Sequence, residues 1–391
     1  MTVDAHTAQK VEAGRLVIID VDGSERRLEG SREGPHATIR LHDQTLMRKL
    51  LFKPDLYLGE GYMDGALTIE EGTLYDFIEF CGINLTGRAV DPKLSAVFRK
   101  SEQKNVVGKA MANVAHHYDL SGELYDCFLD ADRQYSCAYF AKPGDTLEIA
   151  QTNKKRHIAA KLLLEPGMRV LDIGSGWGGM ALTLAQMADV EVVGVTLSEE
   201  QHTVSQARAA EAGLSDKVRF KLLDYREEDG QYDRIVSVGM FEHVGMGHFD
   251  EFFQKTGDLM TERGVALIHS IGRKEPPGLT NAFITKYIFP GGYTPSLSET
   301  TAAVERAGLW ITDIEILRLH YAETLKEWNR RFQANRTKVA ELYDERFCRM
   351  WEFYLQACEV GFRRMGWMNF QLQLARNIEA VPLTREYMGE A

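Results

Sequence analysis

Several groups of residues in this chain could do chemistry. The first is a glycine turn, "VLDIGSGWGG" (170–179), in which Gly174, Gly176 and Gly179 satisfy G-x-G-x-x-G just after Asp172. That pattern fits a dinucleotide site, but such a site wants an acidic residue about 20 positions onward to hold the ribose. Counting from Gly174 lands on Gly194, and the strand there ends in Thr196 rather than Asp or Glu. No Gly-Lys-Ser/Thr follows the turn, which excludes a Walker loop. What remains is a turn whose glycines let backbone approach a ligand closely, or one that merely packs strand on helix. Ser198-Glu199-Glu200-Gln201 reads as a capping box, with Ser198 capping a helix and Gln201 reaching back; the same residues are placed to hold a ribose. Glu242-His243 in "SVGMFEHVG" (237–245), His269 in "IHSIG" (268–272) and Cys137 in "QYSCAYF" (134–140) complete the set of acid, base and thiol. On their own, Glu242-His243 reads equally as a helix-start charge and His269 as a strand-end histidine. "EHVGMGH" is not read as a metal site.

These residues need a scaffold, and the chain spells one out. A β-rich run meets the Asp22-Gly23 turn signal in "RLVIIDVDGSERRLEG" (15–30), predicting a hairpin; "HATIRLHD" (36–43) alternates as a third strand. Helices are expected near 44–53 and 72–81, with "LGEGYMDG" (58–65) as a glycine-punctuated loop between them. This is a small α+β domain, 1–90. Through 91–110 apolar periodicity weakens while Lys93, Arg99, Lys100, Lys104 and Lys109 accumulate, which reads as a basic linker. From 111 to 391 strands at 169–173, 191–196, 218–223, 233–238 and 264–270 alternate with helices from about 177, at 198–212 and at 248–260. Strands separated by helices of this length imply βαβ units and a mostly parallel, doubly wound α/β sheet. Amphipathic helices follow between about 322 and 364, and "WMNFQLQLAR" (367–376) alternates like a late antiparallel edge strand.

Composition narrows the partners. A net charge of −11 argues against non-specific nucleic-acid binding. Five cysteines without a C-x-x-C point to a reducing cytoplasm, and no run of about 18 apolar residues offers a bilayer span.

Taken together, "LDIGSGWGG", "GVTLSEEQ", "QYSCAYF", "FEHVG", "IHSIG" and "TKYIFPGG" (285–292) resemble the cyclopropane-fatty-acyl-phospholipid synthases, which are S-adenosylmethionine-dependent methyltransferases with a Rossmann-like fold. The resemblance runs from "AHHYDL" (115–120) to the C-terminus, with "LGEGYMDG" extending it into the first domain; it departs at Ser175, where the family commonly has Cys. It implies transfer of a methylene unit from S-adenosylmethionine to the cis double bond of an unsaturated phospholipid acyl chain. Bound bicarbonate is the implied base, held by Cys137, Glu242, His269, Ile271 (through backbone) and Tyr321. The implied cofactor contacts are Tyr135, Ser136, Gly174, Gly176, Thr196, Gln201 and Tyr225, the last of them in "LLDYRE" (222–227), where this fold receives adenine.

The chemistry makes its own demands. An alkene is a poor nucleophile and its alkylation develops positive charge, so the site needs an apolar, aromatic-lined pocket that excludes water. Phe241, Tyr139, Tyr287, Phe289 and Tyr321 are candidates for that lining or for ordinary core. Glu242 can accept a bicarbonate hydroxyl proton while His269, Tyr321 and backbone amides donate to its oxygens. Ring closure, a methyl-branched or methylene product, and a non-catalytic lipid-binding relic all remain open, as does monomer against homodimer. With a lipid substrate and no span, the expected location is cytoplasmic, peripheral to the inner face of the membrane, with the basic segment as contact.

Overall fold

The computed structural model describes residues 11–84 and 121–389. The basic linker and its lysines lie outside them. The chain groups into two units, and the first takes in more than the N-terminal segment: residues 281–288 and 325–367 belong to it as well.

In the first unit β1 (Ala13–Ile19) and β2 (Glu25–Glu29) form the expected hairpin, and β3 (Arg32–Leu41) runs parallel to β1. The sheet order is β2-β1-β3-β4, closed by β4 (Leu67–Glu71), a strand the sequence reading left out. Helix α1 (Leu46–Phe52) and helix α3 (Leu74–Asn84) fall where periodicity put them. The stretch 58–65 does not form the expected loop. Residues 58–63 belong to α2 (Pro54–Met63), in which Gly59 and Gly61 are buried, and only 64–65 form a turn. A side chain on Gly59 would strike the Phe283 ring, so the glycines here permit close packing rather than a turn. A buried Asn84 ties the unit's start to its end, its Oδ1 accepting from the Glu12 amide at 2.7 Å and its Nδ2 donating to Ala13 O at 2.9 Å.

The second unit carries a seven-stranded sheet in the order β10-β11-β9-β8-β5-β6-β7. β5 (Arg169–Ile173), β6 (Glu191–Thr196), β7 (Val218–Leu222), β8 (Tyr232–Val238) and β9 (Met260–Arg273) are parallel neighbours, as the βαβ alternation requires. Sequence order reverses at β5, which has β6 on one side and β8 on the other. In doubly wound sheets the ligand crevice opens at this switch point, beyond the carboxyl ends of the strands. Both the glycine turn after β5 and the Glu242 segment after β8 emerge there.

The late strand is real but misplaced by the sequence reading. β11 (Trp367–Ala375) is antiparallel to β10 (Trp310–Ile316), yet it sits between β10 and β9, and β10 is the edge. Its alternation suggested one wet face. Instead Asn369, Gln371 and Gln373 are buried, and the two glutamines meet polar partners: Gln373 Nε2 donates to Lys161 O at 2.6 Å and Gln371 Nε2 meets His269 Nδ1 at 3.1 Å. Lys161 lies on a helix absent from the sequence reading, Leu147–Leu162, whose buried face carries Gln151, Lys154, His157 and Lys161. No helix among the described residues is long and apolar enough to cross a membrane.

Candidate active site

The glycine turn forms one wall of a cavity. Gly174 has φ +81°, and a Cβ there would lie 2.8 Å from the Met240 side chain, so only glycine fits both the dihedral and the space. The amides of Gly174 and Ser175 each donate to Val195 O at 3.0 Å, fixing the turn to β6. Gly179 opens the next helix, Gly179–Ala188, and a side chain there would collide with Gln134 and the Asp132 carboxylate. The third glycine therefore admits the 132–136 segment to the turn.

All seven residues expected to hold the cofactor, Tyr135, Ser136, Gly174, Gly176, Thr196, Gln201 and Tyr225, line this one cavity, together with Asp172. One detail differs from the expected capping box. Ser198 does cap the helix Glu199–Glu211, its Oγ accepting from the Gln201 amide at 3.2 Å. The Gln201 side chain does not reach back; its Oε1 accepts from Thr196 Oγ1 at 2.9 Å, because the cavity wall offers it a better-placed donor. Tyr225 stands in a short 3-10 turn after β7 and packs edge-on against Phe252 at 5.4 Å. Asp172 is buried with its Oδ2 unpartnered, and burial pushes its carboxyl up to about 7.

A second cluster lies beside the cavity rather than in its lining. Glu242 sits in a 3-10 turn after β8, between the lining residues Met240 and His243. Its Oε1 accepts from the Ile271 amide at 2.6 Å, while Oε2 is shielded from solvent without a partner. Burial raises this carboxyl to about 7, against the opposing pull of the Ile271 N–H. The Ile271 amide thus orients Glu242. His269, two residues earlier on β9, is buried, and Gln371 Nε2 meets its Nδ1 at 3.1 Å. In that orientation the ring proton rests on Nε2, a buried donor without a partner. Burial holds His269 neutral, well below the usual histidine range. The cluster therefore presents one unmatched acceptor and one unmatched donor.

Cys137 and Tyr321 are not among the residues lining the cavity. Both are buried, Tyr321 in the first turn of the helix His320–Ala334. One turn on, Thr324 Oγ1 accepts from the Ala138 amide at 3.0 Å, joining the Cys137 segment to that helix. Burial raises the Cys137 thiol, which keeps it protonated and unsuited to act as a nucleophile. Of the aromatic candidates, Phe241 is core, packed on Phe249 at 4.5 Å, and Tyr139 is stacked between His157 and His320. Tyr287 belongs to the first unit, where its hydroxyl donates to Glu60 at 2.7 Å. Phe289 lies against Tyr135 and His243. No cluster of metal-ligating side chains occurs among the described residues.

Residues 106–372 match the family described as mycolic acid cyclopropane synthetase. The chain belongs to that family. It is 37% identical over 353 residues to the cyclopropane-fatty-acyl-phospholipid synthase of Escherichia coli (88% of this chain, 89% of that protein). It is also 37% identical over 366 residues to a probable fatty acid methyltransferase of Pseudomonas putida (90% and 92%). Among solved structures, the mycolic acid cyclopropane synthase CmaA1 complexed with SAH and CTAB superposes with a TM-score of 0.65 at 35% identity, covering 68% of this chain and 98% of its own.

Within this family fold, sequence reasoning missed Lys154. The side chain is fully buried, and its Nζ donates to Gln134 Oε1 at 2.5 Å and to Ser136 Oγ at 2.8 Å. Gln151, one turn earlier, donates to Ser136 O at 3.0 Å. The two clamp the segment that brings Tyr135 and Ser136 to the cavity. The Lys154 charge also acts on Asp172, Cys137 and His269. Burial lowers its own pKa to about 8. The available signal was the i, i+3, i+4, i+7 spacing of Gln151, Lys154, Lys155 and Ile158, a buried stripe concealed by its polarity. His243, which lines the cavity and is held neutral by burial at about 4, was passed over as a helix-start charge.

Proposed function

We propose that this protein transfers the one-carbon group of S-adenosylmethionine to the cis double bond of an unsaturated phospholipid acyl chain and closes it to a cyclopropane, with bicarbonate as the proton acceptor. The observation that carries the reading is that two adjoining segments, tied by the Gly239 N–H to His269 O bond at 2.9 Å, each hold a buried unmatched group, the acceptor Glu242 Oε2 and the donor His269 Nε2–H, next to residues that line the cavity with the glycine turn. Bicarbonate suits that pair because it both donates, through its hydroxyl, and accepts. Bound there, it supplies a base at neutral pH without adding a side chain.

The chain's own residues do the rest. The turn at Gly174 and Gly176 lets backbone approach the methyl donor, Thr196 and Gln201 offer polar atoms to its ribose, and Tyr225 faces its adenine. Asp172 is suited to a cationic group, since an ammonium beside it would favour its ionised form. Aromatic faces of Tyr135 and Phe289 stabilise positive charge on the sulfonium and on the alkylated chain. Methyl transfer forms one C–C bond and releases S-adenosylhomocysteine; losing a proton from the transferred carbon closes the ring. Glu242 and His269 orient the acceptor, and the Ile271 amide keeps Glu242 from turning away.

A methyl-branched or methylene product is the second reading. It is favoured by the equal identity to a probable fatty acid methyltransferase. Incubation with unsaturated phospholipid vesicles and methyl-labelled S-adenosylmethionine separates the two. A fatty acid one CH₂ heavier with ring-proton resonances supports cyclopropane formation, and a labelled chain without them supports the alternative.

A further inference from the structure

Single apolar side chains scattered over a surface need no explanation. The corner between α1 and α2 is different, because Leu51 is 67% exposed and the adjacent Phe52 is 87% exposed. Lys53 and Pro54 continue the exposed run, and Arg48 and Lys49 are exposed on the preceding turn. Lys49 pairs with Asp43 at 3.2 Å, whereas Arg48 and Lys53 have no ion-pair partner among the described residues. The corner is also firmly held. Pro54 starts α2, a position its fixed φ suits. The body of α2 is fastened by Glu60, which accepts from Lys286 at 2.6 Å and from Tyr287 at 2.7 Å.

We propose that this corner docks the protein on an anionic phospholipid bilayer, with Leu51 and Phe52 entering the acyl boundary and Arg48, Lys49 and Lys53 meeting the phosphates. The proposal rests on the reading of the substrate as a membrane lipid, and it names the surface that brings the protein to it. Charge decides the occupant: two adjacent apolar side chains flanked by the exposed, unpaired Arg48 and Lys53 match an interface whose outer layer is anionic and whose inner layer is hydrocarbon. The nearby Asp43 is neutralised by Lys49, and Asp55 is engaged by the Ala282 amide. The whole chain carries a net charge of −11, so a cationic corner would be drawn to such a surface against the trend of the molecule.

The test uses the full-length protein with vesicles of phosphatidylcholine alone or mixed with phosphatidylglycerol, read by co-sedimentation. The double variant Leu51→Ser/Phe52→Ser should bind mixed vesicles about tenfold more weakly or worse, as expected for withdrawing two bulky apolar groups from the interface. Arg48→Gln/Lys53→Gln should lose binding to the mixed vesicles and not to phosphatidylcholine alone, and added salt should mimic it. Both variants should keep wild-type affinity for S-adenosylhomocysteine and the wild-type thermal unfolding profile, the latter showing that the first unit folds. Wild-type vesicle binding by Leu51→Ser/Phe52→Ser overturns the surface, and methyl transfer to detergent-dispersed lipid then leaves the functional reading standing. A change of oligomeric state with vesicle binding intact also overturns it, assigning the corner to a second copy. If wild type binds vesicles through this corner but methylates no lipid, the functional reading falls and the docking surface stands.

Discussion

Glu242 is held by the amide of Ile271: the N–H donates to Oε1 at 2.6 Å while Oε2 stays buried and unmatched. Residues 29 positions apart thus make one half of the proposed site. A carboxylate fixed by one oxygen keeps the other available to accept a further hydrogen bond.

Glu242→Gln replaces that acceptor with an amide able to present a donor. It should reduce ring formation by about 10²–10³, the loss seen when one group aimed at a buried charge is removed. Affinity for S-adenosylhomocysteine should stay within a few fold, since Glu242 does not line the cavity. Stripping carbonate from the buffer should slow the wild type. Full activity without carbonate, with the Gln variant near wild type, would remove bicarbonate from the mechanism and leave methyl transfer in place.

Gln371→Leu tests the other half. Gln371 Nε2 donates to His269 Nδ1 at 3.1 Å and so places the ring proton on Nε2. Without it the tautomer is unconstrained, and the bicarbonate concentration giving half-maximal rate should rise while cofactor affinity holds. An unchanged bicarbonate dependence would separate Gln371 from the site.

Asp172 gives a pH dependence whose sign is fixed. Its carboxyl is raised to about 7, by burial against the opposing charge of Lys154. A ligand carrying an ammonium binds the ionised form, so affinity for S-adenosylhomocysteine should be greatest just above pH 7, before Lys154 loses its charge near pH 8, and fall as pH drops below about 7. Asp172→Asn should flatten the profile at the weaker level. Calorimetric titration across the range checks both.

Lys154→Met removes the charge and both hydrogen bonds to the cofactor segment. Loss of a charged hydrogen bond inside a protein costs roughly 1.5–3 kcal/mol, or about 10- to 150-fold in affinity for S-adenosylhomocysteine. Because the lysine's charge lowers the Asp172 pKa, its removal should also move the binding midpoint to higher pH. A purely structural role for Lys154 would weaken binding without moving that midpoint.

Gly59→Ala addresses the first unit. The added methyl meets the Phe283 ring, and overpacking of this kind costs about 1–3 kcal/mol. A lower denaturation midpoint is expected; an unchanged one would mean that the ring has room to yield.

By itself the sequence determined the alternation of strands and helices from 169 onward, the glycine turn, and the acid and histidine at Glu242 and His269. Periodicity, capping residues and turn glycines act within a few residues of one another, and a reading of one segment captures them. The tertiary structure decided what depends on a distant partner. It turned 58–63 from a loop into a helix, because Gly59 answers to Phe283. It moved β11 from the edge to the interior, because its polar residues meet His269 and Lys161 instead of water. It buried Lys154 where Gln134 and Ser136 satisfy it. A polar residue in a sequence carries no mark of whether it will be solvated by water or by the protein. Only the fold, by bringing its donor and acceptor together, makes that choice.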